Sequence, residues 1–376
     1  MDLERFRTEL DGWLDAHAEE LAPTYDGVGT LEDHLTQLAT VKRMTFDAGF
    51  MRWGWPERVG GLGGSPLLRG YLGEALTLRD LVEPGAYSMT EVLAPTMIDF
   101  ARPELAAEMV PRLLRGEETW CQGFSEPSTG SNLGALTCRA TATDGGWSVT
   151  GQKVWTSFAH RAQRCVLLTR TGDVDSAHHG ITAFFVDMDS PGITVRTIET
   201  MHGVLEFCEV FFDDVHVPRE RLLGEPGRGW SVAMDLLPYE RSTSLWHRGA
   251  FLHNRLDHLL GTAPAGALDP MALGEVVQHL AALRARSRRT QHRFAGGETL
   301  GAETSIDKVL LGTGEQAVFD LVLDTVPELV VAGDDDDSAR WRTKYLYSRA
   351  ATIYGGTYEV QRNIIARRLL DLGNDR

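Results

Sequence analysis

The periodicity of apolar residues changes twice along this 376-residue chain, and the changes divide it into three parts. In the first part, Leu3, Phe6, Leu10 and Leu14 recur at three- and four-residue steps, which places them on one face of a helix. The range 31–44 repeats this pattern, and the helical spacing of apolar residues continues to about residue 115. We therefore expect an N-terminal α-helical domain over residues 1–117.

The middle part consists of short β-rich runs separated by turns. Residues 138–143 and 147–150 flank Asp144-Gly145-Gly146, which is a strong hairpin signal. Further strands are expected at 165–169, 181–186, 193–198 and 209–212. Short strands at such intervals are typical of small all-β domains. We therefore predict a middle antiparallel β-barrel domain over residues 118–225.

The helical period returns at Gly229 and persists to Leu372. It is interrupted at 261–269, 296–301 and 332–338, where glycine, proline and acidic residues accumulate. Long helices with short breaks predict a C-terminal four-helix bundle over residues 226–376. The expected fold class is thus a multidomain α+β protein with the order helices, strands, bundle.

The charge balance and the absence of common signatures exclude several function classes. A net charge of −16 argues against a nucleic-acid partner. No apolar run reaches the roughly 18 residues of a membrane span, so we expect no membrane insertion. The N-terminus does not resemble a signal or transit peptide, and four isolated cysteines lack ligand-like spacing, so a cytoplasmic protein with reduced thiols is expected.

The sequence also lacks motifs for metal binding, for serine hydrolases and for Rossmann-type or P-loop nucleotide binding. His178 and His179 lie in a Ser/Asp/Gly-rich loop and are expected at the surface, so no metal site is predicted. The GxSxG, P-loop and GxGxxG patterns are absent, so any dinucleotide would be bound in a non-Rossmann manner.

Four sequence blocks carry the remaining chemical information. They are the glycine-rich loop at 55–63, the segment FSEPSTGSN at 124–132, the strand WSVTGQKVWTS at 147–157 and the segment YGGTYEVQRNIIAR at 354–367. In the second block, Gly130 and the small residues around it allow backbone amides to approach a flat ligand, and hydroxyl groups are available as donors.

Taken together and in this order, the four blocks resemble those of the acyl-CoA dehydrogenase family. The resemblance implies a bound FAD. It places Phe124, Ser125, Gly130 and Ser131 in the flavin loop and Trp155 against the flavin ring. It further implies that Ser157 lies near flavin N5 and that Thr357 and Glu359 contact the flavin, while Ser131 also faces the thioester. Trp155 has a second interpretation, as an aromatic residue in the core of the β domain.

The resemblance also directs attention to the catalytic base. Many family members carry a glutamate immediately before the glycine-threonine of the C-terminal block, but here this position is Gly355. A bacterial subset of the family places the base on the first bundle helix in a Glu-Arg pair, and Glu240-Arg241 resembles that arrangement. We therefore expect Glu240 to take the α-proton, the Gly355 amide to stabilise the thioester oxygen, and Arg241 to lie at the substrate. A solvated Glu-Arg salt bridge is the alternative interpretation.

Two family motifs are absent. The usual RxxFG arginine motif is missing from 256–273, and the glycine pair followed by an aromatic residue is replaced by Ala332-Gly333-Asp334. Both departures resemble the bacterial subset that includes steroid-side-chain acyl-CoA dehydrogenases, some of which are heterotetramers. The partner expectations are therefore a homo-oligomer or a heterotetramer, and an electron-transferring flavoprotein or a similar acceptor.

The expected function is FAD-dependent α,β-dehydrogenation of an acyl thioester, most simply an acyl-CoA, with the β-hydride passing to flavin N5. Three alternatives stay open from the sequence. The chain could be a non-catalytic subunit of a heteromeric dehydrogenase, a flavin monooxygenase or oxidase on the same fold, or a dehydrogenase acting on a carrier-protein thioester.

Overall fold

The N-terminal region is a set of five helices whose ends are encoded locally. The computed structural model describes residues 1–25 and 27–373, with the side chains of 174, 175 and 243–245 left out. The helices are α1 (Leu3–Ala16), α2 (Leu31–Asp47), α3 (Pro66–Leu78), α4 (Pro84–Phe100) and α5 (Pro103–Arg115). The Asp2 side chain caps α1, a Thr30–Asp33 capping box starts α2, and proline occupies the first turn of the other three. Phe6, Leu10 and Leu14 are buried, so the predicted apolar face of α1 is confirmed.

The middle region is one eight-stranded sheet. Its strands are β1 (Trp120–Gly123), β2 (Arg139–Thr143), β3 (Gly146–Lys153), β4 (Arg164–Arg170), β5 (Ile181–Asp187), β6 (Ile193–Thr197), β7 (Cys208–Pro218) and β8 (Leu222–Leu223). The strand order is β6-β7-β3-β2-β4-β5-β8, and β1 pairs with β4. The six predicted strands are confirmed, as is the β2–β3 hairpin, in which Thr143 pairs with Gly146.

The predicted antiparallel barrel is wrong in two respects. Among the described strands, β6 and β8 are each paired on one side only, so the sheet is open. The pairs β1·β4 and β2·β4 are parallel. The physical reason is that alternation of apolar residues specifies a strand and its buried face but not its pairing partner. The two unpredicted strands, β1 and β8, are also too short to show alternation.

The C-terminal region is helical. It contains α6 (Gly229–Thr262), α7 (Pro270–Ala295), α8 (Thr304–Thr325), α9 (Pro327–Val331), α10 (Asp336–Ser348) and α11 (Tyr358–Arg368). Four of these helices form the predicted bundle, with Leu252, Leu280, Val318 and Trp341 in its core. The predicted breaks agree with the observed ends of α6, α7 and α9, whereas the end of α8 at Thr325 was not predicted. In the part of the chain described, no helix is long and apolar enough to cross a bilayer.

The 34-residue helix α6 belongs to two cores. Its first part buries Val232, Ala233 and Leu236 with the N-terminal helices and one face of the sheet, whereas Phe251 to Leu259 pack into the bundle. The intervening stretch therefore lies where all three regions meet, and Glu240 falls within it.

Candidate functional site

A tight glycine turn precedes α11. Gly355 and Gly356 have φ angles of +63° and +91°, a left-handed conformation that strongly favours glycine. The Gln361 side-chain amide donates hydrogen bonds to the carbonyl oxygens of Gly355 at 2.8 Å and Gly356 at 3.3 Å. The Gly355 N–H has no hydrogen-bond partner among the described residues. The turn thus holds both of its carbonyls and leaves the Gly355 amide available to a ligand.

Glu240 lies directly against this turn. Its Oε1 is 3.1 Å from the position that a Cβ on Gly355 would take. The Gln122 side-chain nitrogen on β1 is 3.5 Å from its other carboxylate oxygen, a long contact. A carboxylate reaching out from either position 240 or position 355 would therefore occupy the same small space. The structure brings together two residues that are 115 positions apart in sequence and that were predicted to act jointly.

Arg241 follows on the same helix and is half-buried, as is Glu240. Burial lowers the pKa of the Arg241 guanidinium, and the nearby Glu240 carboxylate opposes that shift. Arg241 Nε is buried and has no hydrogen-bond partner within the described chain. Because an unpaired buried donor is unfavourable, this N–H is a candidate contact for a bound ligand.

A buried polar network fixes the backbone that leads into the turn. The Tyr354 hydroxyl donates to Glu315 Oε2 at 3.0 Å, and Arg248 Nε donates to the same oxygen at 2.9 Å. Lys308 Nζ donates to the Ala351 carbonyl at 2.6 Å, and burial lowers the pKa of this lysine to about 8. These residues anchor 351–355 to α6 and α8. They were not predicted, although Lys308 and Glu315 are spaced two helical turns apart in a mostly apolar helix.

A second buried pair organises the flavin loop. Glu126 accepts hydrogen bonds from the backbone N–H groups of Thr137 and Cys138 and from Lys153 Nζ at 2.8 Å. Lys153 Nζ also donates to the Phe124 carbonyl at 3.2 Å. Burial alone would raise the pKa of Glu126, but Lys153 and the backbone donors outweigh it and lower the pKa. The pair joins two of the sequence blocks and was missed because its members are 27 residues apart.

Trp155 stands out at the edge of this loop. It has a φ of +58°, and 57% of its surface is exposed. The backbone on both sides is held firmly: Val154 N–H donates to the Ser125 carbonyl, and Thr156 and Cys208 exchange two backbone hydrogen bonds. This exposure excludes the interpretation of Trp155 as a core aromatic residue. The strained backbone presents the indole as an open flat surface.

The remaining predicted flavin contacts divide between two places. The sheet side, which carries Trp155, also carries the small residues Ser125, Gly130, Ser131 and Ser157. Phe124 is buried there. Thr357 caps α11 by accepting a hydrogen bond from Val360 N–H, and Glu359 is exposed in its first turn. No hydrogen bond or ion pair among the described residues joins Thr357 or Glu359 to the Trp155 side.

The sheet-side residues fit the isoalloxazine of FAD. A flat ring system could stack on the exposed Trp155, and nothing lies within 4 Å of a Cβ built on Gly130. The hydroxyls of Thr129 and Thr156 are buried without a hydrogen-bond partner in the described chain, so polar groups are also available. An aromatic face, an open glycine position and unpaired hydroxyls are suitable for a planar hydrogen-bonding ligand.

Comparison with known proteins gives a consistent result over the whole chain. Models of the acyl-CoA dehydrogenase N-terminal, middle and C-terminal domains match residues 2–117, 121–215 and 227–370. Acyl-CoA dehydrogenase IpdE1 of Mycobacterium tuberculosis (strain ATCC 25618 / H37Rv) is 34% identical over 99% of this chain and 98% of that relative.

Two solved structures share the fold. One, described as the Tcur3481-Tcur3483 steroid ACAD, superposes with a TM-score of 0.86 at 23% identity, covering 100% of this chain and 99% of that one. Butyryl-CoA dehydrogenase from Megasphaera elsdenii superposes with a TM-score of 0.80 at 21% identity, covering 98% and 99%.

Proposed function

Because this chain belongs to the acyl-CoA dehydrogenase family, whose members are FAD-dependent oxidoreductases acting on CH–CH bonds, we propose that it desaturates an acyl-CoA between its α and β carbons. Acyl-CoA dehydrogenation in general follows from the family. The roles of individual residues are our proposal, and they depend on the contact between Glu240 and the Gly355 turn.

Glu240 is the proposed base that takes the α-proton. The observation that supports this assignment is the 3.1 Å separation between Glu240 Oε1 and the vacant Cβ position of Gly355. A carboxylate there can face a ligand lying against the turn, and general-base catalysis needs such a group within hydrogen-bond reach of the proton. When bound, FAD supplies the acceptor for the β-hydride at N5.

The negative charge that develops on the thioester as the α-proton leaves requires a donor. The Gly355 N–H is the proposed donor, since it has no partner among the described residues and its turn is held rigid by Gln361. A preorganised backbone N–H of this kind stabilises developing charge more strongly in the transition state than in the ground state. Arg241 and Ser131 are the proposed contacts to the remainder of the thioester.

The proposed flavin contacts are those on the sheet side and those at the start of α11. They are Phe124, Ser125, Gly130, Ser131, Trp155, Ser157, Thr357 and Glu359. The exposed Trp155 and the two unpaired threonine hydroxyls support the sheet-side half of this set.

We further propose domain boundaries at 1–117, 118–225 and 226–376 and a cytoplasmic location. The proposed electron acceptor is an electron-transferring flavoprotein, the acceptor used by the family, and the proposed assembly is a homo-oligomer or a heterotetramer. A solved structure that shares the fold, the ChsE4-ChsE5 complex from Mycobacterium tuberculosis, supports testing the second assembly.

The decisive variant is Glu240→Gln. It keeps the shape of the side chain but cannot take a proton, so we expect purified protein that retains yellow FAD while flavin bleaching by acyl-CoA slows about 10²–10⁴-fold. Glu275→Gln, an exposed glutamate on α7, is the matched control and should bleach normally.

The other candidate functions give different results in the same experiment. Bleaching of Glu240→Gln at the wild-type rate would refute the assignment of the base. A wild-type chain that binds no FAD would favour a non-catalytic subunit, and rapid aerobic reoxidation without any acyl-CoA would favour an oxidase or monooxygenase. A wild-type chain that bleaches only with a carrier-protein thioester would change the carrier while preserving the chemistry.

A further inference from the structure

Lys308 of α8 lies beside the proposed reaction site. Its side chain is buried, and the residue is only 2% exposed. Its Cε lies 3.2 Å from the position that a Cβ on Gly355 would take, and Glu240 Oε1 lies 3.1 Å from that same position. The lysine stem on α8 and the carboxylate on α6 therefore line one small space.

The ammonium group of Lys308 is held against the residues that precede the turn. Nζ donates to the Ala351 carbonyl at 2.6 Å and lies 4.0 Å from the ring centroid of Tyr354. These two contacts fix the direction of the lysine stem. A carbonyl oxygen and an aromatic ring offset only part of the cost of burying a cation, which an opposite charge offsets more fully. The stability of the buried charge therefore depends on the carboxylates near Lys308.

Two carboxylates act on the Lys308 charge from outside ion-pair distance. Burial lowers the pKa of Lys308 to about 8, so the ammonium form predominates near pH 7. Glu315 and Glu240 oppose this shift, whereas Arg248 and Arg241 add to it. Arg248 Nε already donates to Glu315 at 2.9 Å, and the two form a salt bridge. Because Glu315 is neutralised in this way, the remaining effect of the Lys308 charge falls on Glu240.

We propose that Lys308 is a positioning residue for the base, and that its ammonium group keeps the Glu240 carboxylate ionised beside the Gly355 turn. The proposal rests on the proposed function, because it assumes that Glu240 takes the α-proton. A thioester seated against the turn removes water from Glu240, and desolvation favours the protonated carboxyl, which cannot act as a base. A fixed cation opposes this effect. Arg241 contributes from the same helix as Glu240, so Lys308 supplies part of the stabilisation.

The first test is the titration of Lys308 in FAD-loaded protein without a thioester. Labelling lysine with ¹³C at Cε gives few NMR signals, because the chain has only the four lysines Lys42, Lys153, Lys308 and Lys344. Single Lys→Arg variants assign them. Lys308 should titrate about 0.5–1 pH unit lower in Glu240→Gln than in wild-type protein, because the carboxylate charge favours the ammonium form. Lys42, which is also buried and donates to the Leu113 carbonyl at 3.2 Å, should titrate alike in both proteins.

The second test is the pH profile of anaerobic flavin bleaching at saturating acyl-CoA. Lys308→Met keeps the length of the stem and removes the charge, so we expect the acid limb of the profile to move about one pH unit higher. Bleaching would then be about tenfold slower on that limb and similar to wild type near the alkaline end. Lys308→Arg keeps the charge and should keep the limb near its wild-type position. Lys42→Met, the matched control, should lower stability without moving the limb.

The outcomes separate this inference from the proposed function. If Glu240→Gln bleaches slowly but leaves the Lys308 titration unchanged, the inference is overturned and the desaturase stands. The same holds if Lys308→Met leaves the acid limb in place, or if Lys42→Met moves it equally. Bleaching of Glu240→Gln at the wild-type rate would refute the base and this inference together. Because the titration is made with Lys308 intact, it decides the question even if Lys308→Met does not fold.

Discussion

Lys153→Met is expected to be among the most destabilising single substitutions at the flavin loop. The wild-type ammonium is 0% exposed, and its partner carboxylate on Glu126 is 3% exposed, with 2.8 Å between Nζ and Oε1. Methionine matches the length of the lysine stem but provides no charge and no donor. The substitution therefore leaves the Glu126 carboxylate buried without its counter-ion, and it removes the hydrogen bond to the Phe124 carbonyl.

The magnitude follows from this burial. Removing one member of a buried ion pair typically costs about 3–5 kcal/mol, because the other charge stays desolvated. The backbone N–H groups of Thr137 and Cys138 still bond to Glu126, so we expect about 3 kcal/mol rather than the upper limit. Arg5→Met is the matched control, since the Arg5–Glu9 pair is 68% and 41% exposed and should contribute little to stability.

The assay is urea denaturation of the FAD-free chain, followed by circular dichroism, together with the ratio of flavin to protein after purification. Lys153→Met should lower the free energy of unfolding by about 3 kcal/mol and reduce the retained FAD. The double variant Glu126→Gln/Lys153→Met should recover part of the loss because it removes the stranded charge. A loss for Lys153→Met no greater than that for Arg5→Met, with FAD retained in full, would refute this account of the loop.

Three further predictions concern the site. Gly355→Ala places a methyl group 3.1 Å from the Glu240 carboxylate at φ +63°, so we expect a stability loss of about 1–2 kcal/mol and at least tenfold slower flavin bleaching. Gly297→Ala, at φ +85° with open space around its Cβ, is the control and should show a stability loss without slower bleaching. Trp155→Ala should weaken FAD binding, measured by titrating the apoprotein, and unchanged affinity would argue against stacking on the indole. The pKa of Glu206 is raised by burial from 4.5 to about 7, so the folded chain keeps a proton that the unfolded chain loses. Stability should therefore fall as pH rises from about 4.5 to 7, and Glu206→Gln should flatten this slope in pH-dependent denaturation; an identical slope in the variant would contradict it.

Local patterns predicted most of the fold because they act through neighbouring residues. The break predicted at 261–269 matches the end of α6 at Thr262 and the start of α7 at Pro270, where Asp269 caps the helix. The β2–β3 hairpin follows from its Asp-Gly-Gly turn. Barrel closure was predicted wrongly, because no local pattern encodes the pairing of distant strand edges.

Part of the candidate site could also be predicted from local sequence patterns. A glycine at 355, where a carboxylate was expected, directed the prediction to Glu240, and the structure places the two residues in contact. The buried ion pairs that support the site could not be predicted from the sequence. Lys153–Glu126 and Arg248–Glu315 span 27 and 67 residues, and each member alone resembles an ordinary surface charge until the fold buries it.

The central claim is that the Glu240 carboxylate accepts the α-proton of an acyl thioester, and proton exchange tests it most directly. FAD-loaded protein would be mixed anaerobically with an acyl-CoA in D₂O, and deuterium at the α-carbon of the recovered thioester would be measured by mass spectrometry. The account predicts rapid incorporation with wild-type protein and with Glu275→Gln, and incorporation about 10²–10⁴-fold slower with Glu240→Gln at similar thioester affinity. Incorporation at the wild-type rate in Glu240→Gln would contradict it.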